Sequence, residues 1–254
     1  MTRVSAEARG PIGLVTLARP EKKNALDRQT ADELHAAFDR LGADATVRVV
    51  VLSAQGDDFC AGADLQALEL LLADGLKAHL QDAQALGKVF ITMRMLSKPV
   101  VGVIRGRALA GGAGLATACD MVLAHADSSF GYPEVQVGFV PAMVMTMLRR
   151  AVGEKRAFEL IATGRRISAA EALHMGLVSR VIPAASFDAD VDTIVQGIAA
   201  SPPGALALTK RLFYGLDNLD FREGIALGAK TNVEARSTEE FREGLKRFAA
   251  RERQ

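Results

Sequence analysis

Short apolar runs mark the strands that the first half of the chain predicts. Residues 47–53, which read VRVVVLS, are apolar almost without interruption, as in a strand that is buried on both faces. Residues 12–18 alternate more weakly, and residues 99–104 form another β-branched run. Between the first two runs, Asp27 is placed to cap a helix whose apolar face extends to about Leu41. The pattern therefore predicts alternating strands and helices.

The second half of the chain is predicted to be mainly helical. One more strand is predicted at residues 177–183, and an earlier helical stretch is expected to break at Gly75. Helical periodicity then covers residues 143–151, 154–163, 168–175, 187–200, 203–214, 221–232 and 238–249. Ser168, Ser201 and Ser237 are the predicted start signals of three of these helices.

The chain is therefore predicted to have two regions. A mixed core of strands and helices covers residues 1–195, and a helical region covers residues 196–254. No low-complexity linker separates them, so the second region is expected to follow the core directly.

Composition is that of an ordinary globular protein. Hydrophobic residues make up 49% and charged residues 24% of the 254 residues. Lys and Arg number 31 against 30 Asp and Glu, so the net charge of +1 provides no overall field for nucleic acid or an anionic membrane. Local basic pairs such as Arg149-Arg150 and Arg165-Arg166 are interleaved with acids and are interpreted as solvated faces. With no secretory signal or membrane span recognised, we expect a cytoplasmic protein without a nucleic-acid partner.

The cysteines and histidines do not indicate a metal site. Cys60 and Cys119 each lie among apolar or small residues, which is typical of buried thiols. The four histidines are scattered, and no two have the spacing of ligands on one helix face. We therefore predict no bound metal.

Small residues follow a predicted strand at two places, residues 61–63 and residues 110–112. Backbone N–H groups at the start of a helix have no helical partner and can face a ligand closely. If the two turns lie together, one N–H from each could bind a single oxygen atom and stabilise an oxyanion. The alternative is that small residues only let a strand and a helix pack closely.

The glycine-rich turn does not match the common nucleotide-binding motifs. The run GGAGLAT lacks the third small residue of the dinucleotide fingerprint, and no Gly-Lys-Ser/Thr follows to make a phosphate-binding loop. No Gly-x-Ser-x-Gly occurs, so a nucleophile elbow is absent as well.

Three segments together carry a resemblance to a known family. They are RPEKKNALD at residues 19–27, FCAGADL at residues 59–65 and the run from KPVVG to VGFVP at residues 98–141. With the similar downstream segment at residues 153–183, they resemble the crotonase family, the enoyl-CoA hydratase and isomerase superfamily. The resemblance implies an α/β fold, a crotonase-type spiral of ββα turns with a C-terminal helical trimerisation region. It also implies homotrimers, commonly paired into hexamers.

The same resemblance implies an acyl-CoA substrate and no cofactor, since coenzyme A is part of the substrate. The thioester carbonyl oxygen would lie between the N–H groups of Ala63 and Gly111. The other implied contacts with coenzyme A are Lys22, Lys23, Ala25, Ala61, Gly62, Asp64, Leu65 and Gly112. For the two lysines the alternative is a solvated pair of charges in a loop.

Glu134 occupies the position of the family's acid and base. Its apolar neighbours Val135, Val137, Phe139 and Val140 are expected to raise its pKa by desolvation, which would help it to accept and return a proton. Outside the matched motif, an exposed turn residue would be the better interpretation.

The sequence departs from the two-glutamate pattern of the family's hydratases, because Gly114 stands at the position of the first glutamate. We predict an enoyl-CoA hydratase or isomerase type of enzyme. Its alternatives are a single-carboxylate isomerase that converts 3-enoyl-CoA to 2-enoyl-CoA without real hydratase activity, and a non-catalytic acyl-CoA- or RNA-binding protein. Glu69 or Asp74 could still supply a second carboxylate.

Overall fold

The computed structural model describes residues 2–251. Within that range the chain forms nine strands and eleven α-helices. The strands are β1 (Val4–Arg9), β2 (Ile12–Leu17), β3 (Val49–Ala54), β4 (Val100–Ile104), β5 (Arg107–Leu109), β6 (Met121–His125), β7 (Ser129–Gly131), β8 (Arg166–Ser168) and β9 (Arg180–Ile182). The helices are α1 (Arg28–Ala43), α2 (Leu65–Leu71), α3 (Leu76–Met95), α4 (Gly111–Ala118), α5 (Ala142–Val152), α6 (Glu154–Thr163), α7 (Ala169–Met175), α8 (Phe187–Ala199), α9 (Pro203–Gly215), α10 (Phe221–Ser237) and α11 (Glu239–Arg251). The predicted α/β class is confirmed.

Six strands form the larger sheet, in the order β1-β2-β3-β4-β6-β9. The first pair is antiparallel, and every following pair is parallel. The strand β3 has the two buried faces that its sequence predicts. Val50 and Leu52 belong to the main core, whereas Val49 and Val51 pack on the opposite face with residues of α8. Apolar side chains on both faces account for its nearly continuous hydrophobic sequence.

Three short strands form a second sheet, in the order β5-β7-β8. Along the chain, β4 of the larger sheet is followed by β5 of the smaller sheet and then by α4. The strands β6 and β7 repeat the same passage from one sheet to the other. Because β5 and β7 are parallel neighbours, the residues that follow them leave the small sheet at the same edge.

Two of the predicted helix starts and one predicted break are confirmed. Asp27 Oδ1 accepts a hydrogen bond from Thr30 N at 2.9 Å at the start of α1. Ser168 Oγ accepts one from Glu171 N at 3.2 Å at the start of α7. Gly75 separates α2 from α3 at the N-cap of the latter. Side-chain caps therefore set the starts of α1 and α7, whereas Gly75 makes no side-chain cap bond.

Two other predicted start signals are wrong. Ser201 lies one residue too early, because Pro202 occupies the N-cap of α9 and makes no side-chain cap bond. Ser237 is the last residue of α10, and Thr238 Oγ1 accepts from Phe241 N at the start of α11 in its place. In each case the neighbouring residue takes the position at which the chain turns into the helix.

The boundary predicted between residues 195 and 196 lies inside α8. Val195 and Ala199 of this helix both pack with the strands of the larger sheet. The region formed only by helices therefore begins with α9.

Candidate active site

Three chain segments run side by side toward the predicted site. Cys60 makes a parallel bridge with Ala108 of β5, and Leu109 of the same strand pairs in parallel with Gly131 of β7. The N–H of Leu109 donates to Cys60 O at 2.9 Å, and the N–H of Ala110 donates to Gly131 O at 2.9 Å. Parallel neighbours present the residues after their carboxyl ends at a common edge, which is where α/β proteins commonly bind ligands.

The two turns of small residues lie against each other at this edge. A Cβ atom added to Gly62 would lie 2.8 Å from the methyl carbon of Ala110 and 3.7 Å from the nitrogen of Gly111. Leu26 joins the first turn to the upstream loop. Its N–H donates to Gly62 O at 2.7 Å, and its carbonyl accepts from Asp64 N at 2.7 Å. The two turns therefore lie together, which is the condition that an oxyanion hole between them requires.

The N–H groups of Ala63 and Gly111 have no acceptor among residues 2–251. Gly111 is the first residue of α4, so its N–H precedes the hydrogen bonds of the helix. Ala63 is exposed and Gly111 is partly exposed, so a ligand atom can approach either group. Two such donors on adjoining turns have the chemistry of an oxyanion hole.

Ala110, directly before this donor, has a strained backbone. Its φ is 48° and its ψ is −122°, a conformation that costs a non-glycine residue of order 1–3 kcal/mol. The sequence interpretation missed this feature, because an alanine gives no signal of a positive φ.

Glu134 lies in the 3₁₀ helix Pro133–Val137 that follows β7. The residue is 9% exposed, and its Oε2 is buried without a hydrogen-bond partner in the described chain. Burial raises the pKa of Glu134 above its usual value of 4.5. A carboxyl group with one unpaired oxygen and a raised pKa is suited to accept and return a proton.

The raised pKa of Glu134 agrees with the prediction from its apolar neighbours, although those neighbours are themselves partly or largely exposed. Val135 is 36% exposed, and Val137, Phe139 and Val140 are each more than half exposed. Which of these neighbours desolvates the carboxyl group stays a prediction.

Tyr132 ties the segment of Glu134 to α4. Its side chain is fully buried, and its hydroxyl lies 2.8 Å from Thr117 Oγ1. Thr117 donates its own hydroxyl proton to Ala113 O at 2.6 Å, so the tyrosine hydroxyl donates to Thr117. The sequence interpretation missed Tyr132, whose only signal is a large polar aromatic in a run of small residues.

Gly114 faces apolar side chains. A Cβ atom added there would lie 2.7 Å from Val144 Cγ2 of α5 and 3.1 Å from Phe90 Cζ of α3. The space that a glutamate side chain would need is therefore occupied by two hydrophobic residues. Glu69 and Asp74, the other candidate acids, are both exposed, so a role for either stays a prediction.

The upstream loop packs beside the first turn. Lys23 O accepts from Ala61 N at 3.0 Å, and Lys22 Nζ donates to Gln66 Oε1 of α2 at 2.8 Å. Both lysines are exposed, and Ala25 is partly exposed. The loop and the turn thus bring together the residues that the resemblance assigns to coenzyme A, although their contact with it stays a prediction.

Asp64 uses its carboxylate inside the protein. Oδ1 accepts from Gln66 N at 3.0 Å and from Ala67 N at 3.3 Å, and Oδ2 lies 2.8 Å from Arg19 Nη1. Burial alone would raise the pKa of Asp64, but the N–H groups of α2 and the guanidinium outweigh it and lower the pKa. Asp64 therefore holds the turn in place, whereas Leu65, at 68% exposed, is free to contact a ligand.

Asn24 is a buried residue of the upstream loop that the sequence interpretation missed. It is 1% exposed and has a φ of 53°, a conformation that asparagine tolerates. Its Oδ1 accepts from Arg19 N at 2.9 Å, and its Nδ2 donates to Gln55 O at 2.9 Å and Asp58 O at 2.8 Å. These bonds tie the loop to the segment that enters the first turn.

Cys60 and Cys119 are free, buried thiols, as predicted. Burial raises the pKa of both, that of Cys60 to about 12. Within residues 2–251 there is no group of three or more His, Cys, Asp or Glu side chains that could hold a metal ion. In the same range, no helix has the length and apolar character that a membrane span requires.

Comparison with known proteins gives whole-chain matches. The family described as enoyl-CoA hydratase/isomerase matches residues 7–254. A putative enoyl-CoA hydratase of Thermus thermophilus is 39% identical over 240 residues, which cover 94% of this chain and 95% of that protein. The short-chain-enoyl-CoA hydratase of Clostridium acetobutylicum is 32% identical, covering 98% of this chain and 95% of its own.

Solved structures match equally completely. Human enoyl coenzyme A hydratase domain-containing protein 3 has a TM-score of 0.93 at 30% identity, with 98% of both chains covered. A putative enoyl-CoA hydratase/isomerase, or crotonase, of Legionella pneumophila has a TM-score of 0.92 at 30% identity, covering 99% of this chain and 97% of that one. The spiral fold that the sequence predicted is therefore confirmed.

Proposed function

The chain belongs to the enoyl-CoA hydratase/isomerase family, the crotonases, and we propose that it moves a proton on an acyl-CoA thioester held by Ala63 and Gly111. The observation that carries the proposal is the unpartnered, buried Oε2 of Glu134. This residue follows β7, next to the strand that leads into Gly111.

In the proposed reaction, the thioester carbonyl oxygen accepts hydrogen bonds from the two backbone N–H groups. They withdraw electron density, so the protons on the neighbouring α-carbon become more acidic. The Glu134 carboxylate removes one of these protons, and the N–H groups stabilise the enolate oxygen that forms. Burial of Glu134 makes it a stronger base than an exposed carboxylate.

Isomerisation is the reaction that the arrangement around Gly114 favours. With a 3-enoyl-CoA, removal of the α-proton gives a dienolate, and return of the same proton to the γ-carbon gives a 2-enoyl-CoA. One proton carrier suffices for this. Hydration also needs a water molecule activated near the β-carbon, and Val144 and Phe90 occupy the space of the carboxylate that would activate it.

Hydration of a 2-enoyl-CoA is the second candidate. It is supported by the names of the relatives from T. thermophilus and C. acetobutylicum. In that case Glu134 would have to serve both water and the α-carbon, unless Glu69 or Asp74 moves toward the substrate.

A non-catalytic RNA-binding role has less support. Two of the basic pairs include an arginine that is already ion-paired. Arg149 lies 2.7 Å from Glu154, and Arg165 pairs with both Glu159 and Glu171. These acids reduce the positive charge that a phosphate backbone would meet.

The test measures turnover of a panel of 2-enoyl- and 3-enoyl-CoA thioesters by the parent protein and by Glu134→Gln. We expect the parent to interconvert the 3-enoyl and 2-enoyl forms. The variant should lose at least about 10²–10⁴-fold in kcat, the usual contribution of a general acid or base. Its Kd for the same thioesters should change little, because glutamine keeps the shape of the side chain.

The alternatives predict different results. Hydroxyacyl-CoA as the main product from 2-enoyl-CoA would identify a hydratase. A Glu134→Gln variant that turns over as fast as the parent would exclude Glu134 as the base.

A further inference from the structure

The backbone of Ala110 is in a conformation that suits glycine, yet the residue has a methyl group. At a φ of 48° and a ψ of −122°, the Cβ of an L-amino acid crowds its own backbone, whereas glycine has no such penalty. Glycine would adopt this backbone conformation with less strain than alanine, so the presence of the methyl group needs another explanation.

The methyl group lies in the gap between the two turns of small residues. A Cβ atom on Gly62 would approach it to 2.8 Å and would also lie 3.1 Å from Leu109 O. Gly62 itself has a φ of 98°, so its backbone needs glycine for two reasons. The contact therefore joins a bare glycine of one turn to the methyl of the other.

Hydrogen bonds hold the peptide units on both sides of Ala110. Ala110 N donates to Gly131 O at 2.9 Å, and Ala110 O accepts from Gly114 N at 2.9 Å. The carbonyl of Ala110 and the N–H of Gly111 belong to one planar unit and point in opposite directions. Because the carbonyl of Ala110 points into α4, the N–H of Gly111 points out of the start of that helix. The turn at residues 61–63 lies beside this end of the helix.

We infer that Ala110 is a positioning residue for the oxyanion hole. Its methyl group, packed against Gly62, restricts the ψ of Ala110 and so keeps the N–H of Gly111 aimed at the oxygen that Ala63 also binds. The inference rests on the proposed function, since it assumes that these two N–H groups bind the thioester oxygen. Glycine at position 110 would allow the same turn and the same hydrogen bond from Gly114 N, but it would widen the range of ψ that this peptide unit can adopt.

The first experiment compares Ala110→Gly with the parent on the best substrate of the thioester panel. We expect kcat to fall about tenfold, less than the hundredfold or more that follows removal of an oxyanion donor. KM should change less than about twofold, and Tm should stay the same or rise, because glycine relieves the positive φ. A residue with a merely structural role would lower Tm and leave kcat unchanged.

Two further variants serve as controls. Ala110→Ser keeps a Cβ atom at the contact with Gly62. If this Cβ atom is what positions the peptide unit, the variant should retain kcat within about threefold of the parent. Ala118→Gly makes the same exchange at the far end of α4. It should lower Tm, because glycine is a weaker helix former, while kcat stays within about twofold. If Ala110→Ser lost as much activity as Ala110→Gly, the role of the Cβ atom would be refuted.

The second experiment separates this inference from the proposed function. The carbonyl stretch of an unreactive acyl-CoA, labelled with ¹³C at the thioester carbon, is measured when bound to each protein. The band of the thioester bound to the parent should lie at lower frequency than in water. The band of the thioester bound to Ala110→Gly should lie between these two frequencies. A parent without a shift would contradict the oxyanion hole itself. A shift that is identical in Ala110→Gly, together with an unchanged kcat, would overturn only the positioning role.

Discussion

Glu134 should make the folded protein less stable at neutral pH than at acid pH. Its pKa is raised by burial, so the folded state holds this proton more tightly than the unfolded state does. Below about pH 4.5, the usual value, the group is protonated in both states and has no effect. As the pH rises above that value, the unfolded state releases the proton first, and stability falls until the folded-state pKa has been passed.

The loss of stability that follows ionisation of Glu134 should be absent from Glu134→Gln, because glutamine cannot ionise. We expect the variant to have a higher Tm than the parent at pH 7, with a difference that shrinks toward pH 4. Thermal unfolding at several pH values measures it. The matched control is Glu21→Gln at an exposed position, which should show a smaller change. A difference for Glu134→Gln that is constant over this pH range would contradict the assignment of the raised pKa.

Gly114 of α4 has little space for a side chain, whereas Gly197 of α8 has open space around it. We expect Gly114→Ala to lose about 1–2 kcal/mol of unfolding free energy, because the crowding against Val144 outweighs the gain in helix propensity. Gly197→Ala in α8, where no heavy atom lies within 4 Å of the added Cβ, should gain up to about 1 kcal/mol. Denaturant unfolding measures both changes. Equal stability of the two variants would show that the Val144 side chain moves away from the added methyl group at little cost in free energy.

The outcome at Gly114 also decides how hydration can be tested. If Val144→Ala rescues Gly114→Ala, the same background offers room for Gly114→Glu. If the parent forms no hydroxyacyl-CoA and the double variant does, the result would support the hypothesis that hydration needs a carboxylate at position 114.

Elements with a long apolar run or a clear cap could be predicted from sequence, whereas the three short strands of the smaller sheet could not. The strands β2, β3 and β4 and the helices after Asp27 and Ser168 have enough apolar positions or capping residues to define them. The strands β5, β7 and β8 have three residues each, too few to show alternation, and they exist because a neighbouring strand completes their hydrogen bonds. The smaller sheet could therefore not be predicted from the sequence pattern.

The helix α9 is joined to the core by a buried ion pair. Lys210 Nζ lies 2.6 Å from Asp120 Oδ2 and also donates to Met93 O at 2.8 Å and Lys98 O at 3.0 Å. Tyr214 OH donates to Asp120 Oδ1 at 2.6 Å. The side chains of Lys210 and Asp120 are only 7% and 16% exposed. Both charges are thus paired and hydrogen-bonded, as buried ions must be.

Loss of one partner of this pair should be costly. We expect Lys210→Met to lose about 3–5 kcal/mol of unfolding free energy, because Asp120 is left as a buried charge without its counter-ion. The neighbouring Arg211 pairs with Glu234 at the surface, where the side chains are 62% and 49% exposed. Arg211→Met should therefore cost less than about 1 kcal/mol. Similar losses in the two variants, measured by denaturant unfolding, would contradict a specific role for the buried pair.

At the scale of the whole molecule, the site was predictable in its parts but not in its precise construction. The two turns and Glu134 are far apart in sequence, and small residues after strands together with a family resemblance indicated that they meet. The strain at Ala110 and the anchoring of Tyr132 arise from contacts between separate segments. No local pattern encodes such contacts, so they were found only in the folded chain.

The helical region should bury its outer surface in contacts between copies of the chain. Phe221 and Ile225 of α10 are one helical turn apart and are 84% and 61% exposed, and Phe248 of α11 is 63% exposed. Large apolar side chains clustered on a surface usually mark an interaction site. We therefore expect contacts between copies at this surface, and the family resemblance implies that light scattering after gel filtration will show a homotrimer of the 27.0 kDa chain or a pair of such trimers.

A double variant tests which surface makes the contact. Phe221→Ser with Ile225→Ser removes two exposed apolar side chains of α10 and should lower the particle mass toward that of one chain, with unchanged helical content by circular dichroism. Phe158→Ser, at a 75% exposed position of α6, is the matched control outside the helical region and should leave the mass unchanged. A parent with the mass of a single chain would contradict assembly. A double variant that assembles like the parent would place the contact on another surface, and the exposed face of α10 would then need a different explanation.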